Sequence, residues 1–260
     1  MCETCGCGQP GEYTIHIPGD EKINEQSHDH IYEHPHPHLH THGHSDKREM
    51  KVIEVNRDIL SENNLMAERN RGFFEGLNAS CYNLVSSPGS GKTSILEKTI
   101  TGLGKIKKIF VIEGDQQSSM DAERIKKAGA PAIQINTGTA CHLDARMVNQ
   151  ALKKLEIARD SLVLIENVGN LVCPALFDLG ENKRVVVISV TEGDDKPLKY
   201  PYMFASAHLC LINKIDLLPY VDFNMNKAID FAIKVNHHLE FIEISAKTGE
   251  GMQKWFSWIG

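Results

Sequence analysis

"NLVSSPGSGKTSILEKTI" occupies residues 83–100. An apolar run leads into a glycine-rich turn and then into a helical pattern. The phosphate-loop signature is G-x-x-x-x-G-K-S/T. Its core stands intact as GSGKT, Gly89 to Thr93, while Ser86 occupies the place of the first glycine. The physics survives that change. Gly89 and Gly91 let the backbone N–H groups, with Ser90 between them and Ser94 just beyond, curl around phosphate oxygens, and the helix N-terminus adds a favourable dipole. Lys92 can reach the β- and γ-phosphates, and the Thr93 hydroxyl can ligate Mg²⁺.

Working outward from this stretch, short apolar runs alternate with helical patterns. Strands are expected at 81–86, 108–113, 132–135, 161–166, 184–190, 207–212 and 240–244, with helices near 92–102, 119–129, 143–157, 198–204 and 224–236. An amphipathic helix carrying Ile59, Leu60, Met66, Phe73 and Phe74 leads into them. Continuous β-branched runs joined by helices predict an α/β fold: a mostly parallel sheet covered on both faces, the three-layer P-loop NTPase arrangement. Ligands in such sheets bind beyond the carboxyl ends of the strands.

"LINKIDLL" at 211–218 carries N-K-x-D at the tail of an apolar run. The Asp216 carboxylate can accept two hydrogen bonds from the guanine N1–H and N2 amine, a donor pair adenine lacks. Asn213 and Lys214 would brace the base and its loop. Ser245, Ala246 and Lys247 resemble the S-A-K element that closes over guanine in GTPases. The set predicts GTP as the nucleotide. Glu113, Asp115, Asp121 and Glu166 follow strand candidates, where Mg²⁺ and a positioned water are expected in phosphoryl transfer. Glu166 stands where D-x-x-G is usual, and Asp121 could equally cap a helix.

Cys141 and His142 adjoin in one loop, and Cys173 sits in the loop after the next strand. Two thiolates and an imidazole suit Zn²⁺ or Ni²⁺. Three donors leave such a site incomplete, or shared across a dimer. Cys81 and Cys210 fall inside strand patterns and read as core.

The net charge of −6 shows no basic excess, so a nucleic-acid footprint is not expected. No apolar run approaches the roughly 20 residues of a membrane span. The N-terminus shows no secretory pattern, and seven cysteines in such a chain argue for reduced thiols in a cytoplasm. Residues 1–46 are rich in Cys, His, Pro and Gly. They read as a metal-binding extension, disordered without a ligand, ahead of a GTPase domain at 47–260.

With these motifs assembled, the chain resembles the HypB family, the nickel-incorporation GTPases of nickel–iron hydrogenase maturation, in the SIMIBI class. The likeness rests on "GSGKT", "EGDQQSSMDAERI", "NTGTACHLDA", "IENVGNLVCPALFDLGE", "VTEGDDKP" and "NKIDLL". It implies that Lys92 and Thr93 hold phosphate and Mg²⁺, with Asp121 and Glu166 completing the magnesium environment. It implies that Cys141, His142 and Cys173 form a metal site at a GTP-stabilised homodimer interface. It also implies a HypA-type partner and a hydrogenase large-subunit precursor as recipient. The opening "CETCGCG" matches the nickel motif of some members, so Cys2, Cys5 and Cys7 are assigned to Ni²⁺. A Cys2 amine, freed if the initiator Met is removed, could be a fourth donor, and a zinc knuckle or redox pair is the alternative. "HDHIYEHPHPHLHTHGH" at 28–44 holds eight of thirteen histidines and suits weak buffering of several ions. The expected function is a GTP-hydrolysing nickel metallochaperone with slow turnover. The rivals are a storage protein whose nucleotide domain only dimerises, and a GTPase serving another nickel or zinc client.

Overall fold

The computed structural model describes residues 13–17, 46–116 and 120–260, with the side chains of the first helix only from residue 58. Cys2, Cys5, Cys7 and the histidine tract therefore lie outside the described residues.

In chain order the elements are β1 (Thr14–His16), α1 (Asp46–Leu77), β2 (Ser80–Ser86), α2 (Lys92–Leu103), β3 (Ile109–Asp115), α3 (Met120–Ala128), β4 (Ala132–Asn136) and α4 (Ala145–Lys154). There follow β5 (Leu162–Gly169), β6 (Lys183–Ser189), α5 (Lys196–Lys199), α6 (Pro201–Ser206), β7 (Leu209–Asn213), α7 (Met225–Val235), β8 (Glu240–Glu243) and α8 (Met252–Ile259). Short 3-10 turns cover Cys173–Leu176 and Ile215–Tyr220. One sheet runs in the order β1-β4-β3-β5-β2-β6-β7-β8. Every pairing is parallel except that of β1 with β4.

Alternation along the strands splits the core into two faces. Leu84, Val111, Leu164, Val187 and Leu211 meet Ile95 and Leu96 of α2, Ile125 of α3 and Trp255 of α8. The intervening residues, Cys81, Ile112, Val163 and Ile165, meet Phe74 of α1 and Val148 of α4. Val186, Ile188 and Cys210 pack with Met203 and Phe204 of α6 and Ala232 of α7. The expected three-layer arrangement is thus realised, and Cys81 and Cys210 are fully buried.

Four features depart from the sequence reading. Glu166 was placed at a strand end, but β5 continues through it to Gly169. The helix expected at 198–204 is split into α5 and α6, with Pro197 and Pro201 in their first turns, where proline's fixed φ is tolerated and continuation is not. Helix α8 adds to the expected elements, its buried Met252, Trp255 and Ile259 recurring at helical spacing. Thr14–His16 forms a strand within the extension expected to be without structure. The alternation of "YTIHI" carries it, because Tyr13 and Ile15 pack onto the core.

Helix α1 is fastened by polar side chains as well as by Phe74. Asn63 donates to the Asp178 carbonyl at 2.8 Å and accepts from the Ala145 N–H at 2.9 Å. Asn70 donates to the carbonyls of Ala145 and Leu179, each at 2.9 Å. Both residues are buried, so each lost bond strands a polar group. α1 thereby braces the start of α4 and the 178–181 turn together. Among the described residues no helix is long and apolar enough to cross a membrane.

Gly180 permits this close approach. Its φ is +88°, and a Cβ there would lie 2.5 Å from the Ala67 carbonyl oxygen. Gly180→Ala is expected to lower stability by about 2 kcal/mol, read as a reduced urea midpoint.

Candidate functional site

The phosphate loop links β2 to α2. Gly91 caps the helix in a left-handed conformation, φ +100°, where a Cβ would come within 2.5 Å of Asn213 Nδ2. Side chains are excluded there by backbone geometry and by that neighbour. Lys92 is buried and donates from Nζ to Ser86 Oγ at 2.6 Å. The serine that replaces the first glycine thus positions the lysine. Burial lowers the Lys92 pKa, an effect opposed by the Glu166 charge.

Beneath the loop, Glu113 of β3 and Glu166 of β5 are direct cross-strand partners. Thr93 Oγ1 donates to Glu166 Oε1 at 2.8 Å. Burial raises the Glu166 pKa to about 7, against the opposing effects of Lys92 and the Thr93 hydrogen bond. Glu113 is pushed to about 9, first by burial and then by the Glu166 charge. One oxygen of each carboxyl group, Oε2, is buried without a hydrogen-bond partner. Two such orphaned oxygens beside a threonine hydroxyl form an oxygen-rich set that fits a hard divalent cation such as Mg²⁺. In the sequence Glu113 is one acidic candidate among several, because pairing register cannot be read from one strand. Asp121, by contrast, accepts from Arg124 Nη1 at 2.9 Å, and Arg124 also binds Glu97 at 2.7 Å. Asp121 therefore helps to clamp α3 onto α2, and its charge still acts on Lys92 and Glu166.

A cavity of about 370 Å³ opens beside α2, lined by Gly91, Ser94, Lys98, Lys214, Asp216 and Lys247 among others. Asn213 ties its walls together. Its Nδ2 donates to the Ser90 carbonyl at 2.9 Å, and its Oδ1 accepts from the Ala246 N–H at 3.1 Å. Lys214, at φ +65°, donates to the Gly89 carbonyl at 2.7 Å. Ser245 Oγ donates to Asp216 Oδ1 at 2.6 Å, holding a carboxylate at the cavity wall. The residues expected to hold phosphate and base are thus brought together by direct bonds. Lys196, from a segment whose role the sequence left open, donates to Ser87 Oγ at 3.1 Å. An acid-rich run gives no sequence signal for that approach to the phosphate loop.

On the other side of β5, the donor atoms of Cys141, His142 and Cys173 all lie within 4.8 Å of one another. Cys141 Sγ lies 3.9 Å from His142 Nδ1. A tetrahedral ion with bonds of ~2.3 Å spaces its sulfurs about 3.8 Å apart, so the set needs little contraction to fit one. Burial lowers the His142 pKa, which favours the neutral imidazole that binds metal. Phe177 fixes the ring, with centroids 4.0 Å apart. The β5 end reaches into this cluster. Asn167 Oδ1 accepts from the Leu143 N–H at 3.1 Å, and Asn170 Nδ2 donates to the Cys141 carbonyl at 3.3 Å.

Fold and cleft together define a P-loop nucleotide-binding protein. Residues 80–243 match the family described as CobW/HypB/UreG, nucleotide-binding domain. The hydrogenase maturation factor HypB of Escherichia coli K12 is 46% identical, over 100% of this chain and 98% of the relative. A crystal structure of the hydrogenase maturation factor HypB from Archaeoglobus fulgidus superposes with TM-score 0.71 at 43% identity, covering 76% of this chain and 97% of that one. A structure of HypB from Helicobacter pylori in complex with nickel gives TM-score 0.72 at 35% identity, over 76% and 93%. The chain belongs to the HypB family of hydrogenase maturation factors.

Gly91→Ala tests the phosphate cradle. Nucleotide affinity is expected to fall by about five- to 150-fold, since strain and steric conflict of about 1–3 kcal/mol act at the loop itself. Titration with a fluorescent guanine nucleotide reads it.

Proposed function

We propose that this chain is a GTP-hydrolysing nickel metallochaperone acting in the cytoplasm. It delivers Ni²⁺ to a hydrogenase large-subunit precursor together with a HypA-type partner, and couples GTP binding and hydrolysis to homodimerisation and metal release. The observation that carries this reading is the span of β5 and its following loop. Glu166 bonds the phosphate-loop threonine, Asn167 and Asn170 bond the Cys141–Leu143 segment, and Cys173 ends the run. Nucleotide and metal contacts therefore sit on one short stretch of backbone.

The roles follow from position. Asp216 accepts from the guanine N1–H and N2 amine, while Asn213, Lys214, Ser245, Ala246 and Lys247 frame the base. Gly89 to Ser94 wrap the phosphates, and Lys92 neutralises charge that develops as the γ-phosphate leaves. Thr93 and Glu166, with Glu113 and the charge of Asp121, would hold Mg²⁺, which supplies electrostatic stabilisation to the phosphates. Turnover is slow. Cys141, His142 and Cys173 take Ni²⁺ or Zn²⁺ as cargo, and Cys2, Cys5 and Cys7 form a separate nickel site.

Two measurements test the reading. Lys92→Ala is expected to lower GTP hydrolysis about 100-fold or more. Equal, negligible rates in both proteins would instead favour storage. Linkage demands that bound nickel alter GTP affinity by the same factor by which GTP alters nickel affinity. Calorimetric GTP titrations with and without Ni²⁺ should differ, and Cys141→Ser should abolish the difference. Identical affinities would refute the coupling.

A further inference from the structure

Alternation puts Asn83 of β2 and Arg184 of β6 on the sheet face opposite α2, where they are direct cross-strand partners. Their neighbours on that face, Cys81, Val85 and Val186, belong to apolar clusters. Asn83, Asn167, Glu181 and Arg184 are nevertheless all buried there. Arg184 and Glu181 form an ion pair at 3.0 Å. A buried ion pair is weak evidence for stability, because well-packed apolar residues of like volume commonly serve as well. This one therefore calls for another use.

Its hydrogen bonds lead to both arms of the cysteine cluster. Arg184 Nη1 donates to the Ala175 carbonyl at 3.0 Å and to Ser206 Oγ at 2.9 Å, and Nη2 donates to the Phe177 carbonyl at 2.7 Å. Nε and Nη2 also donate to Glu181 Oε1, at 3.1 and 3.0 Å. All the N–H groups of the guanidinium are thus spent. Ala175 lies in the 3-10 turn that begins at Cys173, and the Phe177 ring lies against His142. The other arm is reached through amides. Asn83 Nδ2 donates to Glu181 Oε1 at 3.0 Å, and its Oδ1 accepts from Asn167 Nδ2 at 3.3 Å. Asn167 Oδ1 accepts from the Leu143 N–H, next to His142. The Leu179 N–H donates to Glu181 Oε2 at 2.7 Å and holds the carboxylate in place. One unbroken run of hydrogen bonds joins the Cys141–His142 arm to the Cys173 arm.

We propose that Arg184, braced by Glu181, is a positioning residue for the cysteine cluster. Its guanidinium sets the separation of the two arms, and so the fit of Cys141, His142 and Cys173 to a soft divalent ion. The inference rests on the metal-binding reading of that cluster. A metal site needs its donors held within about 0.5 Å, by side chains whose own rotamers are locked. The rigid fork of arginine can grip two carbonyls and a carboxylate at once, whereas lysine offers a point charge on a flexible stem.

The test uses the full chain with Cys2, Cys5 and Cys7 changed to Ser, and Co²⁺ alone as the probe. Thiolate-to-cobalt charge-transfer absorption then reports the cluster and not the histidine tract. Two variants are compared with this parent. Arg184→Lys keeps the charge and loses the fork. The paired change Glu181→Met and Arg184→Met removes both charges together, so no lone ion is buried. In each, the cobalt titration midpoint should rise about tenfold or more, with altered charge-transfer bands. An unchanged midpoint and spectrum in either variant that stays folded, judged by its urea midpoint, overturns the positioning role. Trp255→Phe, which loses its bond to Thr99 on the opposite face, controls for stability alone. An equal loss of cobalt affinity there also overturns the role. A parent without thiolate bands, or with bands that persist unchanged in Cys141→Ser, overturns the metal reading itself.

Discussion

β2 and β5 pair in parallel from Ser80 opposite Leu162 to Leu84 opposite Glu166, and nearly every residue of both is buried. A parallel strand pair sealed on both faces has only its ends open to solvent. The phosphate loop leaves one strand at its carboxyl end, and the cysteine-bearing segment leaves the other. The phosphate loop and the Cys173 segment are neighbours because these two strands are neighbours. The remaining strands extend the sheet from this pair, and the helices cover the faces of that sheet.

Polar groups in the interior give the edge its precision. Asn213 joins the phosphate loop to the loop of Ala246, while Asn63 and Asn70 join α1 to both arms around the cysteine cluster. A buried amide left unpaired costs about 1–3 kcal/mol, so each of these residues resists alternative arrangements. The Glu113–Glu166 pair works in the opposite sense. Its two buried, unpartnered oxygens are costly until a cation or proton satisfies them, which makes the region sensitive to what occupies the nucleotide edge.

Much of this was legible in the sequence. The strand-loop-helix around GSGKT, the N-K-x-D tail and the run from Glu166 to Cys173 are local patterns, and local spacing carries their chemistry. The split of α5 from α6 was also written in Pro197 and Pro201, though the apolar pattern ran across it. Less visible were Glu113, which matters through its register with Glu166, and Lys196, which approaches Ser87 from the far end of an acidic run. β1 was hidden for another reason. Five residues of alternation in a segment dominated by Cys, His and Pro give too little pattern to outweigh composition.

The sequence by itself determined the element types, the phosphate-loop chemistry and the candidate donors for metal, because backbone periodicity and motif spacing act over a few residues. Only the tertiary structure decided which carboxylates face each other, that Cys141, His142 and Cys173 converge, and that β1 pairs antiparallel with β4. These depend on strand order, register and direction, which are set by burial and hydrogen bonding between segments far apart in the chain.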